Sequence, residues 1–138
     1  MLNIIETALE NDDFTALVDA LTSADLIDTL KSPGPFTLFA PDNEAFTKVD
    51  PIIMAGFIDD ITSLNKVLLY HVVNWKYMLD DLTGLISLST MEGSDIFFSK
   101  SFGEIKVNDA VITLADIECC NGVIHVIDTV IFSSVVEF

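Results

Sequence analysis

The spacing of apolar residues changes partway along the chain, and this change limits the fold to a mixture of helices and strands. In residues 4–30 apolar side chains recur every three or four positions, as in amphipathic helices, and the same spacing returns in residues 61–70. From residue 86 onward, short apolar segments alternate with Gly, Asn and Asp, which is typical of strands joined by tight turns. The predicted class is α+β, with helices concentrated in the N-terminal half and a mostly antiparallel sheet in the second half.

Start and stop signals place individual elements. Helix caps are predicted at Asn3, at Ser23 for a third short helix, and at Asp42 for the helix that follows residues 36–40. Residues 36–40 are nearly all apolar, as in a strand that is buried on both faces. Two-residue hairpin turns are predicted at Asn108-Asp109 and Asn121-Gly122. The strands of the second half are predicted at residues 86–90, 95–99, 105–107, 111–114, 117–120 and 123–127.

Composition excludes several classes of protein. The 138 residues predict one domain spanning residues 1–138, and a mean hydropathy of +0.52 excludes an intrinsically disordered chain. With 22 acidic and 6 basic residues, the net charge of -16 repels phosphate backbones and anionic membranes, so no nucleic-acid partner is expected. No apolar segment is long enough to span a membrane, and the start lacks the features of a signal peptide. We therefore expect no membrane insertion by this chain.

Three segments carry a family resemblance. Residues 37–46, TLFAPDNEAF, and residues 121–128, NGVIHVID, resemble the two signature segments of the fasciclin domain family, and Tyr70-His71 falls where that family has a tyrosine–histidine pair. The resemblance implies a fasciclin-like β-sandwich wedge packed with helices, found on secreted or cell-surface adhesion proteins that have neither catalytic activity nor a cofactor. The positions that carry the structural motif are Thr37, Phe39, Pro41, Asp42, Phe46, Asn121, Gly122 and His125.

The residues of these segments also have a direct physical interpretation. A strand that leads into Pro41 predicts a strand-to-helix corner, with Phe39 and Phe46 in the core. In the second segment, alternation places Val123 and Ile127 on the same face as His125. A histidine among apolar neighbours is more often a hydrogen-bonded core residue than a ligand, and we interpret His125 in that way.

Two interpretations of Tyr70-His71 remain open. The resemblance implies integrin binding by this pair and its apolar surroundings. Alternatively, both side chains form hydrogen bonds inside the domain, which the apolar residues on either side favour because they predict burial.

A second adhesion motif of the family is only partly present. Where the family has an acidic stretch of the Glu-Pro-Asp-Ile-Met type, this chain reads Leu114-Ala115-Asp116-Ile117-Glu118, so only Asp116 and Ile117 match. These two residues are the remaining candidates for binding by that stretch.

Catalytic and metal-binding patterns are not found in the sequence. Two histidines cannot supply a three-histidine zinc site, and no HExxH, CxxC, GxSxG or GxGxxG pattern is present. The pairs Asp12-Asp13, Asp59-Asp60 and Asp80-Asp81 lack the spacing of a calcium loop and are interpreted as solvated charges at helix starts. Cys119 and Cys120 are interpreted as free thiols, with a redox or intermolecular role as the alternative. No catalytic residue, metal or cofactor is predicted.

The leading hypothesis is an adhesion or binding module, secreted or at a cell surface, that contacts a protein or a glycan. The alternative is a stand-alone soluble domain without adhesive function, intracellular or stress-related, in the cytoplasm. A third class is a small-molecule carrier or enzyme. The apolar content of 51% is also compatible with a weak homo-oligomer.

Overall fold

Short helices precede and interrupt a single curled sheet. The computed structural model describes residues 2–49, 51–52, 56, 60–101, 104–108 and 110–131. Its helices are α1 (Ile4–Leu9), α2 (Thr15–Ser23), α3 (Ile27–Lys31), α4 (Asn43–Thr47), α5 (Ile61–Leu69) and α6 (Leu79–Leu82), with a 3-10 turn at Asp12–Phe14. Its strands are β1 (Phe36–Pro41), β2 (Val72–Asn74), β3 (Ser87–Ser89), β4 (Asp95–Ser101), β5 (Glu104–Val107), β6 (Ala110–Cys119) and β7 (Gly122–Ile127). The predicted α+β class is confirmed.

Side-chain caps start several of the helices. Asn3 and Glu6 form a reciprocal capping box at α1, and Oδ1 of Asp42 accepts the Ala45 N–H at α4, as predicted. Asp60 caps α5 in the same manner, while Asp59 lies outside the described residues. The remaining acidic pairs lie in first turns, Asp12-Asp13 in the 3-10 turn and Asp80-Asp81 in α6.

The predicted cap at Ser23 is wrong. Ser23 is the last residue of α2, and α3 begins after Leu26 without a side-chain cap. Asp25 adopts a φ of +60°, and the N–H groups of Asp25 and Leu26 donate to the carbonyls of Thr22 and Leu21. This is a Schellman motif, so the backbone satisfies the end of α2 and Leu26 is turned into the core.

Among the described residues, the strands have the order β2-β1-β7-β6-β5-β4-β3, in which β1 is parallel to β7 and the other pairs are antiparallel. The two strands predicted at residues 111–114 and 117–120 are one strand, β6, with register shifts on either side of Leu114. Beyond β3, the N–H of Met91 donates to the carbonyl of Val72 in β2. Because β2 and β3 are the two edge strands, this bond brings the edges of the sheet together, and the sheet is nearly closed.

Asn108 lies in the turn predicted for it, whereas the second predicted turn is displaced by one residue. Asn108 occupies the β5–β6 turn with a φ of +53°, and its predicted partner Asp109 lies outside the described residues. In the β6–β7 hairpin Cys119 pairs with Gly122, so the loop residues are Cys120 and Asn121 rather than Asn121-Gly122. Both cysteines are free thiols, Cys119 buried and Cys120 exposed.

Each face of the sheet covers its own core. One face packs against α1–α5 through Leu38, Ala40, Ile124 and Val126, and the other lines the interior of the curled sheet through Phe39, Ile96, Val107 and Ile127. Successive residues of a strand point to opposite faces, so two cores explain why β1 and β7 are buried along their whole length. Phe39 is fully buried, whereas Phe46 is half-buried at the edge of the helical layer, which corrects the expectation that both lie in the core.

None of the helices in the described ranges combines the length and apolar character needed to cross a membrane.

Candidate binding face

Tyr70 lies at the end of α5 with its ring inside the sheet core. Its hydroxyl donates to the carbonyl of Asp95, 2.7 Å away in β4, and accepts from Nδ2 of Asn108 at 3.0 Å. Burial raises the pKa of the phenol, with a smaller opposing effect from the Asn108 bond. The phenol therefore remains a neutral hydrogen-bond donor, engaged on both sides.

His71 is also buried, and both of its ring nitrogens contact backbone groups. Nε2 accepts the N–H of Ile131 at 3.1 Å, so the proton lies on Nδ1, which donates to the carbonyl of Val67 at 2.8 Å. Burial lowers the pKa of His71 to about 4. The imidazole is neutral at physiological pH and connects α5 to the chain that follows β7.

His125 occupies the interior face of β7, where Phe39 stacks on it with ring centroids 5.7 Å apart. Its Nδ1 accepts the N–H of Asp116 at 3.2 Å, so Nε2 carries the proton and donates to the carbonyl of Tyr77 at 2.7 Å. Burial lowers the pKa of His125, and the bond to Tyr77 and the charge of Asp116 oppose that effect. Neither histidine has a ring nitrogen available to a substrate or a metal.

The bond to Tyr77 is one of several that hold the segment formed by residues 75–79, which joins β2 to α6. Thr37 is fully buried, and its hydroxyl donates to the carbonyl of Trp75 at 2.7 Å and accepts the N–H of Tyr77 at 2.8 Å. Thr37 in β1 lies opposite Val123 in β7, and Val123 lies opposite Glu118 in β6. The three side chains therefore point to the same face of the sheet, which is the face that residues 75–79 cross. One residue from each signature segment, Thr37 and His125, therefore fixes this loop.

Residues of β6 hold the same segment from its other side. Asp116 has a φ of +61° next to a register shift, and its Oδ1 accepts the N–H of Leu79 at 2.7 Å. Nζ of Lys76 lies 3.1 Å from Oε1 of Glu118. Ile117 points the opposite way, half-buried against the helical core. The structure thus separates the two predicted binding residues of this stretch and brings only Asp116 to the surface.

Trp75 is a residue of this surface that the sequence analysis did not single out. Its side chain is 60% exposed and its φ is +140°, a value that bulky residues rarely adopt. The available signal was that it is the only tryptophan of the chain, directly after the apolar β2. We give the name Trp75 face to Trp75 and Lys76 of this loop together with Asp116 and Glu118 of the β6 stretch that holds the loop. Tyr70 and His71 share no hydrogen bond or ion pair with it among the residues described.

The remaining motif residues shape the strand-to-helix corner and the hairpin. Pro41 ends β1 and Asp42 caps α4. The buried amide of Asn121 accepts from the N–H of Ile4 and donates to the carbonyls of Leu30 and Ser32, so this side chain connects the β6–β7 hairpin to α1 and α3. Gly122 lies against the backbone of Phe36, where a Cβ atom would overlap the Phe36 carbonyl.

The chemistry that this arrangement offers is that of surface contacts. Across the described ranges, no three His, Cys, Asp or Glu side chains are grouped closely enough to hold a metal ion. The exposed groups of the Trp75 face are an indole, an ammonium and two carboxylates, which are suited to stacking, ion pairing and hydrogen bonding with another molecule.

Comparisons with known proteins agree with the fold. A fasciclin domain model matches residues 12–133. The uncharacterized protein sll1735 of Synechocystis is 44% identical over 131 residues, which cover 95% of this chain and 98% of that protein. Human periostin is 32% identical over 121 residues, which cover 87% of this chain and 14% of periostin.

A solved structure shows the same architecture. The FAS1 domain pair from the insect cell adhesion molecule fasciclin I superimposes with a TM-score of 0.83 at 20% identity, covering 96% of this chain and 51% of that one. This likeness concerns the fold, and the family match covers most of the sequence. The chain belongs to the fasciclin domain family.

Proposed function

We propose that this domain is a non-catalytic binding module that mediates adhesion at a cell surface, and that it contacts a partner protein through the Trp75 face. In this proposal Tyr70, His71 and His125 are scaffold residues, and Asp116 is a contact residue. In this proposal the chain acts outside the cell or at its surface.

The burial of the polar side chains that carry the family resemblance is the observation that supports this function. Thr37, His71 and His125 are all buried, and their polar atoms are engaged with backbone groups. Such groups are unavailable for chemistry on a bound molecule, and two of them, Thr37 and His125, fix the loop that carries Trp75. Exposed aromatic residues on rigid supports are typical anchors of protein–protein contacts.

Attachment of cells to immobilised protein tests the proposal. Surfaces coated with the purified domain should retain cells of the organism that encodes it, and the variant Trp75→Gly should retain few. Glycine is chosen because it adopts a positive φ without strain, so the loop conformation is preserved. The matched control is Phe97→Gly, since Phe97 is 57% exposed on β4, which β5 separates from β6 in the strand order.

Three results would contradict the proposal. The first is equal attachment of cells to the two variants. The second is attachment to the wild-type domain that does not exceed attachment to a coating of albumin. The third is a cell fractionation in which the native protein is found wholly in the cytoplasm. The last result would support the stand-alone, non-adhesive alternative.

A further inference from the structure

His125 and Asp116 approach each other through two different groups of the aspartate. Nδ1 of the ring accepts the backbone N–H of Asp116 at 3.2 Å, and Oδ1 of the same residue lies 3.9 Å from Nδ1. The carboxylate has another partner, because Oδ1 accepts the N–H of Leu79 at 2.7 Å. The neutral ring therefore bonds to the backbone of Asp116 and leaves the side chain to hold residues 75–79 at the start of α6.

A proton on Nδ1 reverses the preference of this nitrogen. An imidazolium ring carries N–H groups on both nitrogens and accepts no hydrogen bond. The bond from Nε2 to the carbonyl of Tyr77 is kept, since Nε2 donates in both forms of the ring. At Nδ1, however, the N–H of Asp116 loses its acceptor, while the carboxylate of Asp116 lies only about 1 Å beyond the length of a charge-assisted hydrogen bond.

The backbone at Asp116 leaves room for this exchange. Asp116 lies between Leu114 and Ile117, where the pairing of β6 with β7 shifts register, and its N–H donates to the ring rather than to a strand carbonyl. Its carboxylate is 42% exposed, so water can replace the ring or Leu79 as a partner. A movement of this side chain therefore breaks no backbone pair of the sheet.

Asp116 is the charged group that answers the ring. The elements next to His125 are β1, which has no titratable side chain, β6, residues 75–79 and α6. Their titratable side chains are those of Asp116, Glu118, Cys119, Lys76, Tyr77, Asp80 and Asp81. Within the described ranges, the one ion pair in reach of His125 is with Asp116, whereas Glu118 is paired with Lys76.

We propose that His125 and Asp116 form a pH-dependent switch on residues 75–79. When His125 gains a proton, the Asp116 carboxylate moves from the N–H of Leu79 to Nδ1 of the ring, and the α6 end of the segment is released. Thr37 still holds the other end through Trp75 and Tyr77. Weaker cell attachment in acid follows as a consequence that rests on the proposed function, in which Asp116 is a contact residue.

The switch operates in acid and not at neutral pH. Burial lowers the pKa of His125 below the usual histidine value of about 6.5, with the Tyr77 bond and the Asp116 charge opposing that effect. At neutral pH the ring is therefore uncharged and the Leu79 bond is intact.

A titration of the folded domain by nuclear magnetic resonance tests the switch. The chain has two histidines, so their ring signals can be followed separately from about pH 7 to about pH 4.5, with His71→Gln to assign them. The Leu79 amide proton should shift upfield with the same midpoint as the His125 ring, because it loses a carboxylate acceptor. In His71→Gln, the matched control, the Leu79 shift should keep its midpoint.

Two variants separate this event from protonation of Asp116 itself. Glutamine in His125→Gln can donate and accept without titrating, so the Leu79 shift should occur only at the lower pH at which the carboxylate titrates. Asparagine in Asp116→Asn still accepts the Leu79 N–H and tolerates the φ of +61°, but it lacks the charge that raises the pKa of His125. The His125 midpoint should therefore fall in Asp116→Asn, and this test does not depend on His125→Gln being folded.

Four results would overturn the inference: a Leu79 signal that does not follow His125, an unchanged Leu79 titration in His125→Gln, an unchanged His125 midpoint in Asp116→Asn, or unfolding of the wild type before His125 titrates. Failure of the proposed function is a separate outcome. If Leu79 follows His125 but the domain retains no cells at any pH, the switch stands and the adhesion proposal is wrong. If attachment depends on Trp75 while Leu79 does not follow His125, the switch is wrong and the adhesion proposal stands.

Discussion

Asn108 donates from Nδ2 to the phenol oxygen of Tyr70 across 3.0 Å, and this bond ties the end of α5 to the β5–β6 turn. The same asparagine accepts the N–H of Phe97 through Oδ1, while its own N–H donates to the Phe97 carbonyl. The phenol in turn donates to the carbonyl of Asp95. One hydroxyl thus joins a helix, a strand and a turn that are far apart in the sequence.

Removing this hydroxyl should destabilise the domain without creating a cavity. We expect Tyr70→Phe to lower the free energy of unfolding by about 1–3 kcal/mol, because the Asp95 carbonyl and the Asn108 amide each lose a partner. Urea denaturation measures this loss, and Tyr77→Phe is the control, since no hydrogen bond is made by the Tyr77 hydroxyl among the described residues. A loss of similar size in both variants would contradict the role assigned to Tyr70.

His71 should make stability depend on pH in the acidic range. Its pKa is lowered to about 4 by burial, whereas an unfolded histidine titrates near 6.5. Between these values the unfolded state binds a proton that the folded state does not, so stability falls as the pH falls from about 6.5 to about 4. The contribution lost over this window is about 3 kcal/mol.

The variant His71→Gln isolates this contribution. Glutamine does not titrate, so the variant should be less stable at pH 7 but should lose less of its remaining stability between pH 6.5 and pH 4 than the wild type. Burial also lowers the pKa of His125, which is unchanged in both proteins, so the difference between their slopes reports His71. Parallel pH profiles would show that His71 binds a proton equally in the folded and unfolded states, which would contradict the lowered pKa.

The two phenylalanines of the first signature segment should differ in their effects. Phe39 is fully buried between His125 and Phe98, with centroid distances of 5.7 and 5.9 Å, so Phe39→Ala should cost about 3–5 kcal/mol. Phe46 is only half-buried, and Phe46→Ala should cost clearly less. Chemical denaturation of both variants measures the order, and a larger loss for Phe46 would show that the helical edge is more tightly packed than the structure indicates.

Local sequence signals predicted the elements whose stabilising contacts are themselves local. Asn3 and Asp42 cap helices within three residues of their own positions, and alternation in β7 places His125 with Val123 and Ile127 on one face. The prediction for Ser23 failed because a backbone motif at Asp25 satisfies the helix end, and no side-chain pattern indicates that motif. The prediction of two separate strands in place of β6 was wrong because a register shift near Asp116 allows β6 to continue its pairing with β7 past this polar residue.

The binding face could not be predicted because long-range contacts create it. Thr37 lies 38 residues from Trp75 in the sequence, and Asp116 lies 37 residues from Leu79. The sequence shows a threonine in a strand and a tryptophan after another strand, and only the pairing of β1 with β2 and β7 brings them together. The exposure of Trp75 results from this packing of strands. Its sequence neighbours do not predict it, because Val72 and Val73, which precede it, are apolar.

Gly122 should tolerate no side chain, because β1 and β7 approach closely at this point. A Cβ atom there would overlap the carbonyl oxygen of Phe36, a backbone atom that cannot rotate away. We expect Gly122→Ala to destabilise the domain by about 3 kcal/mol or more. Thermal unfolding can be compared with that of Gly84→Ala, where no atom lies within 4 Å of the added methyl group, and similar melting temperatures for the two variants would refute the close approach.

Thr37→Val tests whether the first signature segment acts on the Trp75 face. Valine keeps the shape of threonine but cannot donate to the Trp75 carbonyl or accept the Tyr77 N–H, so the free energy of unfolding should fall by about 1–3 kcal/mol. The loop should also become more mobile, and time-resolved anisotropy of the single tryptophan measures that change directly. Thr83→Val is the control, because the Thr83 hydroxyl donates to the carbonyl of Asp80 within its own helix end. A rigid indole in Thr37→Val would mean that His125–Tyr77, Lys76–Glu118 and Asp116–Leu79 suffice to hold the loop. A mobile indole together with reduced cell attachment would show that a buried threonine supports binding from inside the sheet.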